Sequence, residues 1–172
     1  MGETSPVSPL VVVADAGPLI HLDELGNLDL LVDFKQVWVP DAIWCEVEHH
    51  RPEALKQLSA ALVRKGVPHP SPIVDALASM YTLHLGEREA LTWCLEQQHS
   101  MLLTDDTAAR LAAKSLGLAA HGSIGLLLRA LRRQLRTKAE VLQLLGDIPY
   151  RTTLHIRPSF LESVIREVEE KA

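Results

Sequence analysis

The sequence predicts an α/β protein with a short, mainly parallel sheet covered by helices on both faces. Two observations carry that expectation. Short β-branched apolar runs alternate with longer segments of helical periodicity, the order expected of a parallel sheet with crossover helices. The first run, LVVVA (10–14), is also apolar without alternation, as a strand buried on both faces must be. With 172 residues, 47% of them hydrophobic, the chain suits one domain over 1–172, with residues 1–9 as a flexible N-terminus.

Each element has a local reason. Asp15 closes the first strand, and AGPLIHLDELG follows as a helix entered through Gly17 and Pro18, proline being well placed in a first turn. QVWV (36–39) reads as a second strand, and Pro40 with Asp41 opens the helix DAIWCEVEHH. Residues 53–64, 73–80 and 86–98 have helical patterns, and KGVPHPSP (65–72), rich in Pro and Gly, is a loop. MLLT (101–104) is the third strand, 106–116 a helix, LAAH (118–121) a short fourth strand and 123–136 a long helix. Helices over about 138–146 and 158–170 complete the chain.

Composition excludes several classes. Lys and Arg number 17 against 22 Asp and Glu, a formal net charge of -5, so the molecule as a whole is no polybasic nucleic-acid binder. A phosphate-bearing ligand would need a local basic patch or bound cations. Cys45 and Cys94 form no Cys-x-x-Cys pair and are expected to be small core residues. No apolar run approaches the roughly 18 residues of a membrane span, and the N-terminus lacks a secretory pattern, so a cytoplasmic protein is expected.

The chemistry-bearing residues gather at one predicted edge. Ligands of parallel sheets bind outside the carboxyl ends of the strands, where Asp15, Asp105 and Ser123 all fall. Asp105 directly follows its strand, whereas Asp106 stands at a helix entrance and is the better N-cap. In GEREALTWC, Glu87 shares the i, i+3, i+4, i+7 face of Ala90, Leu91 and Cys94, so it belongs to an inward stripe, while Glu89 lies beside Thr92 and Trp93. The alternative is that Glu87 complements the helix dipole after Gly86. Glu46 has no clear side. The eight histidines are expected to be surface or capping residues, with no His-x-x-x-His pattern; His21 alone follows an apolar pair that could bring it near the rim. Several carboxylates on one edge repel one another unless cations lie between them, which points to a hard divalent metal and phosphodiester hydrolysis.

The ordered blocks VVVADAGPLIHL, VPDAIWCEV, LGEREAL, LLTDDTAARLAAKSLGL and HGSIGLLLRA resemble the PIN-domain nucleases, and among them the VapC-like toxins of toxin–antitoxin systems. The closing RPSFLESVIREV is similar to the last helix of that branch. The resemblance implies a three-layer α/β/α sandwich and cleavage of RNA with Mg²⁺ or Mn²⁺. Carried over by position, it makes Asp15, Glu46, Glu87 and Asp105 the catalytic acids, with metal held by Asp15, Glu87, Asp105 and Asp106. Ser123 matches a small hydroxyl residue at the rim. Gly17 departs from the pattern, because relatives commonly carry Ser or Thr there. An antitoxin protein that covers the acids and a homodimer are further implications.

Arg129, Arg132, Arg133 and Arg136 repeat the helical spacing opposite Ile124, Leu127, Leu128, Leu131 and Leu135. The stripe is either a solvated face or, with Ser123, a contact to the RNA backbone. Aromatic residues are 4% of the chain, so backbone or folded-RNA recognition is expected over reading of unstacked bases. The competing function is a catalytically silent PIN-like module that binds RNA or protein. Phosphoryl-transfer folds with Asp after the first strand fit worse, since Gly17 stands where a phosphatase needs a second Asp, no Lys ends the fourth strand, and no P-loop pattern occurs.

Overall fold

β1 (Val11–Ala14) lies at the centre of a five-stranded parallel sheet of order β3-β2-β1-β4-β5, in a computed structural model that describes residues 11–58, 60–97 and 100–171. The expected flexible stretch 1–9, together with Leu10, lies outside the described residues. Helices cover both faces of the sheet, giving the α/β/α sandwich. β1 is followed by α1 (Ala16–Glu24) and a 3-10 segment (Leu28–Asp33) that leads into β2 (Gln36–Pro40). α2 (Asp41–His50) and α3 (Pro52–Gln57) precede β3 (Leu62–Lys65), after which α4 (Pro72–Tyr81) and α5 (Leu85–Glu96) return the chain to β4 (Met101–Leu103). α6 (Thr107–Ser115) leads to the edge strand β5 (Ala119–His121), and α7 (Ser123–Arg132), α8 (Lys138–Arg151) and α9 (Pro158–Glu170) finish the fold.

β1 is central because its side chains need cover on both sides: Val12 and Val13 are fully buried, as are Leu102 and Leu103 of the neighbouring β4. Register then places the site. Val13 pairs with Leu102 and Ala14 with Leu103, and the Asp15 amide donates to the Leu103 carbonyl at 2.8 Å. β1 and β4 therefore end level with each other, and their next residues share one rim.

Three expectations need correction. The helix read over 53–64 stops at Gln57, and residues 62–65 are instead the edge strand β3, paired from Val37↔Leu62 to Pro40↔Lys65. Local propensity is close to neutral there, and the open edge of β2 decides the outcome. The long helix over 123–136 ends at Arg132, because Gln134 adopts a left-handed backbone (φ 58°) and Thr137 opens a new helix through a capping box with Glu140. Cys94 is buried as expected, but Cys45 is exposed, its sulfur 3.7 Å from the Arg64 guanidinium.

That early helix end changes the arginine stripe. Arg129 and Arg133 both reach Asp33 of the 3-10 segment, at 2.7 and 2.8 Å, and Arg136 forks onto both oxygens of Asp29 at 2.7 Å. The Arg129 guanidinium also lies over the Phe34 ring, 4.8 Å from its centroid. Three of the four arginines thus tie the α7 region to the segment before β2, while Arg132 is exposed. The Asp33 side chain is 9% accessible, so removing it strands two guanidinium groups near the core. Asp33→Ala is expected to lower stability by about 2–3 kcal/mol, less than a fully buried pair because Arg133 is partly solvated, as measured by urea unfolding.

Candidate active site

Asp15 sits at the end of β1 and caps α1, its Oδ1 accepting from the Ala16 amide at 2.8 Å. Its other oxygen accepts from the Thr104 hydroxyl at 2.8 Å. Thr104 is wholly buried, and the same hydroxyl accepts from the Asp106 amide at 3.1 Å, so one side chain braces both acids at the ends of β1 and β4. Burial pushes the Asp15 carboxyl up to about 6; the Thr104 and Ala16 bonds oppose this, and the negative fields of Glu87 and Glu46 add to it.

Glu87 lies in the first turn of α5, half-buried, with Oε2 accepting from the His84 amide at 2.7 Å. Its pKa is also raised, first by burial and then, against the His84 bond, by the charges of Asp106 and Glu46. Glu87 thus closes the start of its helix and lies within the field of other acids, but it is less buried than Glu89, which spacing had placed off the inward stripe. Glu46 stands exposed on α2, felt by both Asp15 and Glu87. Spacing ranks Glu89 too low. It is 6% accessible and accepts from the Ala42 amide at 3.2 Å, covering the start of α2, which Pro40 leaves without a side-chain cap. The sequence carried one signal for it, a helix opened by Pro and Asp with no Ser, Thr or Asn before it. α5 approaches α2 closely here: a Cβ on Gly86 would lie 2.7 Å from Ile43.

The two adjacent aspartates point to different surroundings. Asp106 is exposed and caps α6, its Oδ1 accepting from the Ala109 amide at 2.7 Å, and its charge reaches Glu87. Asp105 is turned into a polar knot. Its Oδ2 takes His21 Nδ1 at 2.7 Å and the Ser123 hydroxyl at 2.6 Å, while Oδ1 takes the Ser123 amide at 2.7 Å. Burial raises its pKa, but the bonds from His21 and Ser123 outweigh burial and leave it lowered. Ser123, completely buried, ties the start of α7 to this knot.

Two glycines make room for the knot. A Cβ on Gly122 would come within 2.5 Å of Asp105 Oδ1 and 3.1 Å of the Thr104 carbonyl. A Cβ on Gly17 would lie 3.3 Å from Asp105 Oδ2 and 3.6 Å from the His21 ring. The missing hydroxyl at position 17 thus goes with an imidazole one turn along α1, packed where a larger side chain at 17 would press.

The DUF3368 family model, a PIN domain, matches residues 11–170. The chain belongs to the PIN-domain family. Searches of curated proteins and of solved structures gave no match. PIN domains are typically nucleases and usually use divalent metals. In this PIN domain the donors at the rim are carboxylate oxygens, the hard ligands that Mg²⁺ and Mn²⁺ prefer. Among the described residues no three acidic, His or Cys side chains come close enough to hold a metal ion by themselves. A cation bound by one or two carboxylates, with water and phosphate oxygens completing its shell, fits this arrangement. Among the described residues no helix is long and apolar enough to cross a membrane.

Proposed function

We propose that this PIN domain is a Mg²⁺- or Mn²⁺-dependent endoribonuclease. One observation carries the reading: the Asp15 carboxyl, half-buried at the end of the central strand, is pushed up to about 6 by desolvation and by the fields of Glu87 and Glu46. Negative charge concentrated at a ligand-binding sheet edge favours a divalent cation, and one or two of Asp15, Glu87 and Asp106, with water and phosphate oxygens, would hold it. The bound cation would polarise a phosphodiester and supply a hydroxide nucleophile. Around it, Thr104 holds Asp15 in place, Glu46 adds charge at the mouth, and Asp105, with three hydrogen bonds on its oxygens against two on Asp15 and one on Asp106, keeps His21 and Ser123 packed under the rim. Asp106 thereby ranks above Asp105 as a ligand, the reverse of the order suggested by strand and helix positions alone. Arg129, Arg133 and Arg136 serve mainly to hold α7, so they rank below Arg132 as substrate contacts.

In the same reading the enzyme is the toxin of a toxin–antitoxin pair, is covered by an antitoxin protein, and acts in the cytoplasm as a homodimer; the sequence resemblance to VapC-like toxins supports each point. The test is cleavage of structured RNAs with Mg²⁺ or Mn²⁺, with EDTA as control. Asp15→Asn and Asp106→Asn are each expected to lower the rate by about a hundredfold or more. Equal cleavage by wild type and Asp15→Asn would sink the proposal. A second reading, a silent RNA-binding module, is favoured by the lack of three converging ligands among the described residues. RNA binding without metal-dependent cleavage would establish it.

A further inference from the structure

A groove of about 600 Å³ runs from Asp105 along the β5 edge, between α6 and the segment that leads into α9. Its walls differ from the rest of this acidic chain. Arg110 comes from α6, His121 from the end of β5, and His155 and Arg157 from the segment before α9. Among the described residues neither Arg110 nor Arg157 has an ion-pair partner, in contrast to Arg129, Arg133 and Arg136, which are engaged with Asp33 and Asp29. The acid on the far wall, Glu167, pairs with Lys171 at 2.6 Å. His121 reports the local field: its pKa is lowered by burial and then by the charges of Arg132 and Arg129.

Between the cations the groove is apolar, with Leu128, Leu154, Ile156 and Val164 along it and Phe160 at its side, 52% exposed. Cations spaced along an apolar trough with one exposed aromatic ring match the backbone and base faces of an unpaired strand. A duplex hides its base faces and would leave Phe160 without a partner.

We propose that this groove holds a single-stranded segment of the RNA substrate beside the acidic rim, with Arg110 and Arg157 on phosphates and Phe160 stacked on a base. The inference rests on the nuclease reading and deepens it by assigning the groove and the residues that would bind the substrate beside the rim. It departs from the expectation, drawn from few aromatics, of backbone or folded-RNA recognition, because one of the two phenylalanines stands at the groove.

Fluorescence anisotropy in EDTA, where metal-dependent cleavage is off, separates binding from catalysis. The probes are a labelled single-stranded RNA oligonucleotide and its duplex, titrated from about 50 to 200 mM salt. Wild type is expected to prefer the single strand. The Arg110→Ala/Arg157→Ala double variant should lower the slope of log K against log salt by about 1.4, since each phosphate contact on a single strand contributes about 0.7. Phe160→Ala should weaken binding about five- to a hundredfold at unchanged slope. Lys56→Ala, on α3 away from the groove, should leave both unaltered. If the double variant does not fold, Arg110→Gln and Arg157→Gln singly decide, each lowering the slope by about 0.7. Tighter duplex binding, an unchanged slope in a folded double variant, or capture of poly-glutamate in place of RNA would overturn the proposal. The expected binding pattern without cleavage in Mg²⁺ or Mn²⁺ supports the groove while refuting the nuclease reading.

Discussion

Asp105→Ala is expected to lower unfolding stability by about 3–5 kcal/mol, the largest effect of any single carboxylate at the rim. The loss follows from what the side chain holds. His21 Nδ1 on α1, and both the amide and the hydroxyl of Ser123 at the start of α7, converge on its two oxygens at 2.6–2.7 Å. Truncation leaves a nearly buried imidazole and a wholly buried hydroxyl without their acceptor. In thermal melts this corresponds to a fall of about 6–20 °C for a domain of this size. The lowered pKa gives a further signature. A carboxyl whose folded pKa lies below its unfolded value contributes stability above the unfolded pKa and loses it as pH falls through the folded one, so acid unfolding of wild type should include this loss and the variant should lack it. A melting temperature within about 2 °C of wild type, with cleavage abolished, would show instead that Asp105 is a ligand rather than a brace.

The neighbouring Asp15 should show the opposite linkage. Its folded value of about 6 lies above the ordinary 3.8, so its contribution is intact below about pH 4 and declines as pH rises to about 6. The difference of about 2 pH units corresponds to about 3 kcal/mol of destabilisation above pH 6, at about 1.4 kcal/mol per unit. In EDTA, wild type is expected to lose that stability between pH 4 and 7, measured by urea unfolding at each pH, and Asp15→Asn should lose less over the same window, keeping the part that comes from the raised Glu87. At pH above 6, Mg²⁺ or Mn²⁺ should raise the melting temperature of wild type and leave Asp15→Asn nearly unmoved, because a cation that binds the folded rim stabilises by mass action. A pH-independent wild type would contradict the account of Asp15 as a desolvated acid held among like charges.

These expectations trace to signals of different strength in the chain. The apolar run at 10–14, the Pro40–Asp41 helix start and the strand before Asp105 were legible because strand burial and helix entry depend on neighbouring residues. β3 was not, since residues 62–65 become a strand only beside the open edge of β2. The four arginines share a helical spacing in the chain but not one helix, because spacing cannot say that Asp33 and Asp29 lie opposite, nor that Gln134 turns the chain before Arg136. Thr104 was missed and Glu89 ranked too low for a related reason: each meets a backbone or side-chain partner on another element, 47 residues away for Glu89 and 89 for Thr104.

By itself the sequence determined the parallel α/β fold and the edge on which its acids stand, because strand order in the chain and the period of apolar residues dictate which ends of the strands are ligand-facing. Only the tertiary structure decided how the acids divide their work. Asp105 and Asp106 are identical in chemistry and adjacent in sequence, and what separates them is that His21, Ser123 and the space at Gly122 converge on one, while the other opens toward Glu87. Side-chain partners distant in sequence set a carboxylate's charge and reach, and no local pattern encodes them.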